Sequence, residues 1–218
     1  MTMYNRNMNK GMYNMGMNNM GMNNMGMNNM GMNNMGMNNM GMNNMGMNNN
    51  IVSTSTLTRV TKEFQLCQQD NDLIQIGCNF GLENNNIMTW RVSMVGPANT
   101  PYDGGLFTLN IIFPNDYPNH GPEFRFKNKM YHLNVNSKEN DPEFGHVCLS
   151  SINSWRVSGQ VKGSFYTVKQ ALFDIFCLFY NQGVEAPFDE QMAIIYSKDP
   201  QAFNEEAKRW TQKFASAI

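Results

Sequence analysis

The sequence predicts an α+β domain that follows a low-complexity N-terminal tail. Residues 1–50 consist almost entirely of Met, Asn and Gly, whereas the remaining 168 residues have the mixed composition of a globular protein. In those 168 residues, apolar side chains recur first at helical spacing, then alternate as in strands, and finally return to helical spacing. A chain of this size can bury a sizeable core, so we assign residues 51–218 to one domain.

The tail is built from a five-residue repeat. Eight units of the form G-M-N-N-M run through residues 11–50, and 18 of the 22 methionines lie before residue 51. A period of five matches neither a helix nor a strand, and no branched aliphatic side chain is present to build a core. We therefore expect the tail to be disordered. Two alternatives are binding of Cu(I) by the methionine thioethers and self-association of the Asn-rich tract as stacked β structure.

The first predicted element of the domain is a helix from residue 56 to about residue 69. Thr56 is suited to cap this helix, and an apolar stripe follows at spacings of three and four residues. The stripe comprises Leu57, Val60, Phe64 and Cys67. Four strands follow, and their short connections favour an antiparallel meander over crossover units. The predicted strands cover residues 74–80, 88–94, 106–113 and 123–127.

After an irregular stretch, helices return at the C-terminal end. Thr167 and Gln170 have the spacing of a capping box ahead of an apolar stripe. Asp199 followed by Pro200 predicts the N-cap and first turn of the last helix. The two apolar stripes comprise Val168, Ala171, Leu172, Ile175, Phe176 and Phe179, and then Phe203, Ala207, Trp210 and Phe214.

Charge and cysteine usage exclude several classes of protein. The net charge is −1, and because Arg6 and Lys10 are the tail's only charged residues, the domain carries −3. That balance argues against nucleic-acid binding through a dense basic face. Four scattered cysteines, with no C-x-x-C pair and no signal segment, predict a reducing compartment, either the cytoplasm or the nucleus. No apolar run reaches the ~18 residues of a membrane span, so we expect no membrane association.

Several motifs occur in a fixed order along the domain. Gly96-Pro97 and the run TPYDGG at positions 100–105 lie between the second and third strands, and FPNDYP at 113–118 closes the third strand. The run YHLN at 131–134 precedes GHVCL at 145–149, and Trp155 follows. Singly, the Pro and Gly clusters predict only turns. Together they resemble the ubiquitin-conjugating enzymes, from about residue 57 to the C-terminal run WTQKFA at 210–215.

The resemblance implies an enzyme that carries ubiquitin, or a ubiquitin-like modifier, as a thioester. In this family a cysteine accepts the modifier from an activating enzyme, which uses ATP, and passes it to a lysine of a protein substrate or to a ubiquitin ligase. Cys148 matches that cysteine, and a thiolate attacks well without an elaborate base. Asn134 matches an asparagine that holds the loop and donates to the oxyanion, and His132 is a structural residue of the same motif. No bound cofactor and no metal are implied.

The other cysteines have a simpler interpretation. Cys67 and Cys177 both fall on apolar helical stripes, so we expect each to be buried and structural. His146, two residues before Cys148, shares its side of an extended segment and offers the base of a cysteine hydrolase, as does His132. Neither histidine has a convincing orienting partner in the sequence, and a zinc site lacks a second ligand pair.

Four features around the site depart from the family's pattern. Leu133 stands where the motif usually has proline, which would fix φ near −65°, so we expect a less rigid loop. Residues 135–144 form a longer, charged segment that predicts a solvated loop, and residues 157–163 lengthen the loop after the site. Ala186 stands where many relatives have an acid that orients the incoming lysine. Glu185 is the candidate substitute, or else a plain exposed carboxylate.

The resemblance also implies two partner surfaces. Arg59 and Lys62 match a basic face toward the activating enzyme, although each is also explained as a solvated helix charge. Pro118 and Asn119 lie in the loop that faces a ligase. Asn119 replaces an aromatic residue that anchors such contacts in relatives, so we expect weak or unusual ligase choice.

The leading interpretation is an active conjugating enzyme for ubiquitin, since the C-terminal helix resembles ubiquitin-specific members. One alternative is a carrier for a ubiquitin-like modifier. Another is a non-catalytic binding module, which Leu133, Ala186 and the two longer loops favour. The retained Cys148 and Asn134 oppose that second alternative.

Overall fold

The computed structural model describes residues 51–161, 164–184 and 187–216, so the predicted tail lies outside the described residues. The elements run in the predicted order of an N-terminal helix, a four-stranded antiparallel sheet and C-terminal helices, which confirms the α+β fold. The helices are α1 (Thr54–Gln68), α2 (Asn71–Gln75), α3 (Ser150–Ser158), α4 (Val168–Leu178), α5 (Glu190–Lys198) and α6 (Pro200–Phe214). The strands are β1 (Asn79–Glu83), β2 (Asn86–Val95), β3 (Leu106–Ile112), β4 (Glu123–Phe126), β5 (Gln160–Val161) and β6 (Ser164–Phe165). Within the described residues, no helix combines the length and hydropathy that crossing a membrane requires.

One face of the main sheet supplies the centre of the core. The strand order is β1-β2-β3-β4, and Trp90 of β2 pairs with Ile111 of β3, which in turn pairs with Phe124 of β4. Because side chains alternate along a strand, one face is buried throughout, as the sequence predicts. The buried side chains of this face are Met88, Trp90, Val92, Met94, Phe107, Leu109, Ile111, Phe124 and Phe126.

Helix α1 packs against β1, β2 and α4. Its Phe64 ring meets Trp90 edge to face, with ring centroids 5.0 Å apart. The start of α1 differs from the prediction, because Ser53 is the N-cap and accepts a hydrogen bond from the Thr56 N–H. Thr56 is instead buried, and its hydroxyl donates to the carbonyl oxygens of Asn115 and Tyr117. The buried residues of α1 are therefore Thr56, Val60 and Cys67, whereas Leu57 of the predicted stripe is exposed.

The predicted strand at residues 74–80 is wrong in its first half. Asp70 caps the short helix α2 by accepting from the N–H groups of Asp72 and Leu73. Gly77 then adopts a φ of 81°, and β1 begins only at Asn79. Capping chemistry outweighs the β-forming residues of this segment, because the Asp70 side chain supplies two local hydrogen bonds and strand pairing begins only at Asn79.

The stretch after Cys148 is also more ordered than predicted. Helix α3 continues past Trp155 to Ser158, so the predicted loop extension at 157–163 begins in a helix, and β5 then pairs antiparallel with β6. Residues 162 and 163 of that extension lie outside the described residues. Gly159 ends α3 in the left-handed conformation, with a φ of 66°. A side chain on Gly159 would collide with the carbonyl oxygens of Pro118 and Asn119, so the hairpin begins directly beside that loop.

The caps of the C-terminal helices are as predicted. Thr167 and Gln170 form a capping box at α4, and Asp199 caps α6 with Pro200 in its first turn. Phe203 and Ala207 of the predicted α6 stripe are buried, Trp210 and Phe214 are half-buried, and Thr211 completes the buried face.

Cysteine burial matches only half of the prediction. Cys67 is buried, but Cys177 is exposed. Helix α4 buries Ile175 and Leu178, and Cys177 lies one position off this face.

Candidate active site around Cys148

Cys148 lies in a surface cleft of about 340 Å³ where three segments meet. These segments are the irregular stretch after β4, the first turn of α3 and the loop after α4. The cleft is lined by Asn134, Cys148, Leu149, Ser150, Asn153, Gln182, Gly183 and Val184. The fold therefore brings together Cys148 and Asn134, which are 14 residues apart in the chain.

The backbone around Cys148 is held from both sides. The Cys148 N–H donates to the carbonyl oxygen of Asn134 at 2.8 Å, and the Val147 N–H donates to that of Phe124 in β4 at 3.2 Å. Gly145 approaches β4 so closely that an added Cβ would lie 1.9 Å from the Phe126 carbonyl oxygen. The catalytic-loop candidate is thus an extension of the sheet, and Cys148 itself is half-buried.

Asn134 connects this segment to the loop after α4. Its Nδ2 donates to the Gly183 carbonyl oxygen at 2.9 Å, and its Oδ1 accepts from the Gly183 N–H at 2.7 Å. An added Cβ on Gly183 would lie 2.8 Å from Nδ2, so this pairing needs glycine. The Nδ2 amide carries two hydrogens, of which one serves Gly183, and Asn134 lines the cleft.

His132 lies behind the cleft and is fully buried. Its Nε2 lies 3.0 Å from the Leu178 carbonyl oxygen, and its Nδ1 accepts from the Asn134 N–H at 2.9 Å. These partners fix a neutral ring with its proton on Nε2. Burial lowers the pKa of His132 to about 4, against a smaller opposing effect of the bond to Leu178. A ring engaged at both nitrogens and sealed from solvent is unsuited to serve as a base.

Leu133, the replacement for the motif's proline, is anchored in a way that proline does not allow. Its side chain is fully buried, and its N–H donates to Gln182 Oε1 at 2.9 Å. Gln182 Nε2 donates in turn to the hydroxyl of Tyr102. The Leu133 carbonyl oxygen accepts from the Phe188 N–H at 2.9 Å. Hydrogen bonds and packing therefore hold the segment where a proline ring would otherwise restrict it.

His146 contacts charged residues of α3 and β4, which argues against a role as the base for Cys148. It is buried, its Nε2 lies 3.2 Å from an Arg156 amino group, and its Nδ1 lies 3.5 Å from Glu123 Oε1. Burial, and then the charge of Arg156, lowers the pKa of His146. Burial opposes ionisation of Glu123 too, but the hydrogen bond from Arg125 and the nearby cations outweigh it, so the pKa of Glu123 is lowered. This cluster ties α3 to β4.

Asn153 is a site residue that the sequence analysis missed. Its Nδ2 lies 3.4 Å from the Cys148 sulfur and donates to it. The signal is a polar amide five residues after the cysteine, but its relevance depends on α3, which was not predicted.

The long loop at residues 135–144 is solvated at its tip and fixed at its base. Asn136 is buried, with its N–H donating to the His146 carbonyl oxygen and its own carbonyl accepting from Gly145. Glu139 is exposed and pairs with Lys129, and Arg125 donates to the Pro142 carbonyl oxygen. Among the described residues, no group of three His, Cys, Asp or Glu side chains is placed to hold a metal ion.

The two predicted partner surfaces lie on or beside α1. Arg59 pairs with Glu63 at 2.8 Å, and Glu63 accepts from the Tyr117 hydroxyl, so Arg59 belongs to an ordered network. Arg59 and Lys62 line a cavity of about 500 Å³ at the junction of α1 and α4. Pro118 and Asn119 are exposed, and the peptide before Pro118 is cis.

One predicted site residue cannot be placed. Glu185, the candidate lysine-orienting acid, and Ala186 beside it lie outside the described residues. The described neighbour on the cleft is Val184, whose side chain is exposed.

Comparison with known proteins agrees with this architecture. The sequence model of the ubiquitin-conjugating enzyme family matches residues 59–211. A Plasmodium yoelii protein assigned as a ubiquitin conjugating enzyme is 30% identical, with a TM-score of 0.63 over 77% of this chain and 100% of that chain. The E2 domain of a Toxoplasma gondii ubiquitin conjugating enzyme is 31% identical, with a TM-score of 0.60 over 73% of this chain and 99% of that chain.

The helix, meander and cysteine-bearing cleft define a ubiquitin-conjugating domain. The chain belongs to the ubiquitin-conjugating enzyme family, as the motifs predict.

Proposed function

We propose that the chain accepts ubiquitin from an activating enzyme as a thioester on Cys148 and passes it to a substrate lysine or to a ligase cysteine. The observation that carries this proposal is the position of Cys148, half-buried in a cleft with its backbone held by Asn134. Burial raises the pKa of both Cys67 and Cys78 to about 12, so those thiols stay protonated. Cys177 is exposed but lies on the outer face of α4.

The reaction consists of two acyl transfers. In the first, the Cys148 thiolate attacks the carbonyl carbon of the thioester on the activating enzyme, and that enzyme's cysteine leaves as a thiolate. In the second, an amine or a ligase thiolate attacks the new thioester. The tetrahedral oxyanion then collapses, the carbon–sulfur bond breaks, and the electron pair returns to Cys148. An attacking amine loses its proton to solvent or to a nearby base.

Asn134 in the cleft and His132 behind it support these steps. Asn134 holds the Cys148 segment against Gly183, and the second hydrogen of its amide is available to the oxyanion. His132 positions Asn134 by accepting its N–H. We retain Glu185 as the candidate acid that orients the lysine.

The proposal also includes partners and compartment. The activating enzyme would contact the face of Arg59 and Lys62, whose basic groups line the α1–α4 cavity. A ligase would meet the exposed loop of Pro118 and Asn119 together with the adjoining β5–β6 hairpin, which adds the exposed side chain of Phe165. ATP is consumed by the activating enzyme and not by this chain. The cytoplasm or nucleus is the proposed location.

A charging assay tests the proposal. Purified chain is incubated with ubiquitin, its activating enzyme and ATP, and is resolved on a non-reducing gel beside Cys148→Ser and Cys148→Ala. We expect a reductant-sensitive adduct for the wild type, a reductant-resistant ester for Cys148→Ser, and none for Cys148→Ala. Absence of an adduct from a folded wild-type chain, with a working control enzyme, would refute ubiquitin carriage.

Two alternatives give different results in the same assay. A carrier for a ubiquitin-like modifier would be charged by that modifier's own activating enzyme. A non-catalytic binding module, which Leu133, Ala186 and the two longer loops favour, would bind ubiquitin without forming an adduct on Cys148.

A further inference from the structure

The Cys148 sulfur accepts a hydrogen bond from a side chain that has no role in the proposed steps. Asn153 Nδ2 lies 3.4 Å from Sγ, within the range of an N–H donor to sulfur. Both residues line the same cleft, so the contact is open to an incoming thioester and is not part of the packed interior.

Helix α3 fixes Asn153 in this position. The Asn153 N–H donates to the Leu149 carbonyl oxygen at 2.8 Å, so its backbone belongs to the first turn of the helix. Ile152 and Trp155, on the opposite face, have 0% and 1% of their surfaces exposed and anchor the helix in the core. Because helical side chains tilt toward the N-terminus, Asn153 is directed back over Cys148.

The two cleft asparagines differ in what they hold. Asn134 is bonded through both side-chain heteroatoms to Gly183 and bonds the Cys148 backbone through its carbonyl oxygen. Asn153 contacts the reacting atom itself. Removal of the Asn134 amide should therefore loosen the support of the cleft, whereas removal of the Asn153 amide should take away a hydrogen-bond partner of the sulfur.

We propose that Asn153 is a catalytic residue whose amide stabilises the Cys148 thiolate, as the attacking group during charging and as the leaving group during discharge. This inference rests on the proposed function. During discharge the carbon–sulfur bond breaks and its electron pair moves to Sγ, where the Asn153 N–H meets the developing charge. A hydrogen bond to a charged group is stronger than one to a neutral group, so the contact favours the thiolate over the thioester.

The test uses the full-length chain with Asn153→Leu, which removes the donor, and Asn153→Asp, which replaces it with an anion of the same shape. Ser154→Ala is the matched control, since Ser154 is the exposed neighbour on the same helix. Two rates are measured: discharge of the charged enzyme to free lysine, and iodoacetamide alkylation of the Cys148 peptide followed by mass spectrometry from pH 6 to 10. Thermal unfolding identifies any variant that fails to fold. If one of the two Asn153 variants does not fold, the rates of the other one test the role of Asn153.

We expect Asn153→Leu to slow discharge about tenfold, which is the effect of one charge-assisted hydrogen bond. The alkylation profile should move to higher pH, further for Asn153→Asp than for Asn153→Leu, while Ser154→Ala matches the wild type. An unchanged discharge rate, or an unchanged alkylation profile, in the folded variants would overturn the inference. A wild-type chain that takes up no ubiquitin would instead overturn the proposed function, and the alkylation profiles would then decide the role of Asn153 at the thiolate.

Discussion

At the scale of single residues, Asn134 shows how the cleft is held. Its side chain closes a two-bond ring with the Gly183 backbone, and its own carbonyl oxygen accepts from Cys148. Asn134→Ala removes both side-chain bonds and leaves the N–H and carbonyl groups of the half-buried Gly183 without these partners. We expect the free energy of unfolding to fall by about 1–3 kcal/mol and discharge to free lysine to slow by about 10²–10³.

Chemical denaturation and single-turnover discharge of the charged enzyme measure these two effects of Asn134→Ala. A variant that loses stability but transfers ubiquitin at the wild-type rate would confine Asn134 to a structural role.

The burial of His132 makes stability depend on pH. The pKa of this histidine is lowered from 6.5 to about 4, because the folded chain excludes the proton that the unfolded chain accepts. The unfolded state therefore binds more protons between these two values. Stability contributed by His132 is full above about pH 6.5 and is lost as the pH falls toward 4, by about 3 kcal/mol in all.

Urea unfolding of the wild type and of His132→Gln between pH 7 and 4.5 tests this dependence. Carboxylates and His146 titrate in both chains, so their contributions cancel when the free energy of unfolding of the variant is subtracted from that of the wild type at each pH. We expect the wild type to lose more stability than the variant over this range. Parallel pH profiles would show that His132 does not titrate as described.

At the scale of elements, close approach of backbones explains the glycine before the cysteine. Gly145 has a φ of 78° and would place a Cβ 1.9 Å from the Phe126 carbonyl oxygen, whereas Gly104 has a φ of 70° and open space around it. Gly145→Ala should cost about 2–4 kcal/mol, because it adds a collision to the conformational strain. Gly104→Ala, the matched control, should cost only about 1 kcal/mol. Equal losses in denaturant unfolding would show that the segment relaxes away from β4.

From the contacts of Leu133 we expect proline at this position to destabilise the fold, although proline is the usual residue of the family's motif. Leu133→Pro restores the usual residue of the motif, yet it removes the N–H bonded to Gln182 and a fully buried side chain. We expect a loss of about 1–3 kcal/mol in the free energy of unfolding. Gln182→Ala removes this acceptor and the donor to the Tyr102 hydroxyl but keeps the buried Leu133 side chain, so it should lose less. A more stable proline variant would mean that the hydrogen bond contributes little.

The elements that the sequence predicted are those specified by local chemistry. The alternation at Trp90, the capping box at Thr167 and the cap at Asp199 need only near neighbours, and each is present in the structure. Helix α3 was missed because only Ile152 and Trp155 mark its buried face, which is too short a stripe to detect. Helix α5 has no fully buried residue, and only Met192, Ala193 and Tyr196 pack half-buried against the core, so its stripe is weak.

The site was predicted only in part for a related reason. The motifs indicated Cys148 and Asn134, whose proximity follows from the fold. The contact between Asn153 and the sulfur depends on how α3 folds back on the segment before it, which no local pattern encodes. Exposure of Cys177 likewise depends on which side of α4 meets the sheet.

At the scale of the whole molecule, the described residues of the conjugating domain form a core of their own. Its buried apolar side chains run from Val60 to Ala215. We therefore expect a chain truncated to residues 51–218 to unfold cooperatively at the same temperature as the full-length protein and to charge at the same rate. A lower unfolding midpoint, or slower charging, would show that the tail contributes to the domain.

Mapping the adduct shows directly whether Cys148 carries ubiquitin. The stable ester formed by Cys148→Ser is digested with trypsin, and the ubiquitin remnant is located by mass spectrometry, with Cys177→Ser as the control for the other accessible thiol. We expect a remnant on residue 148 and unimpaired charging of the Cys177→Ser variant. A remnant at another position, or loss of charging in Cys177→Ser alone, would contradict it.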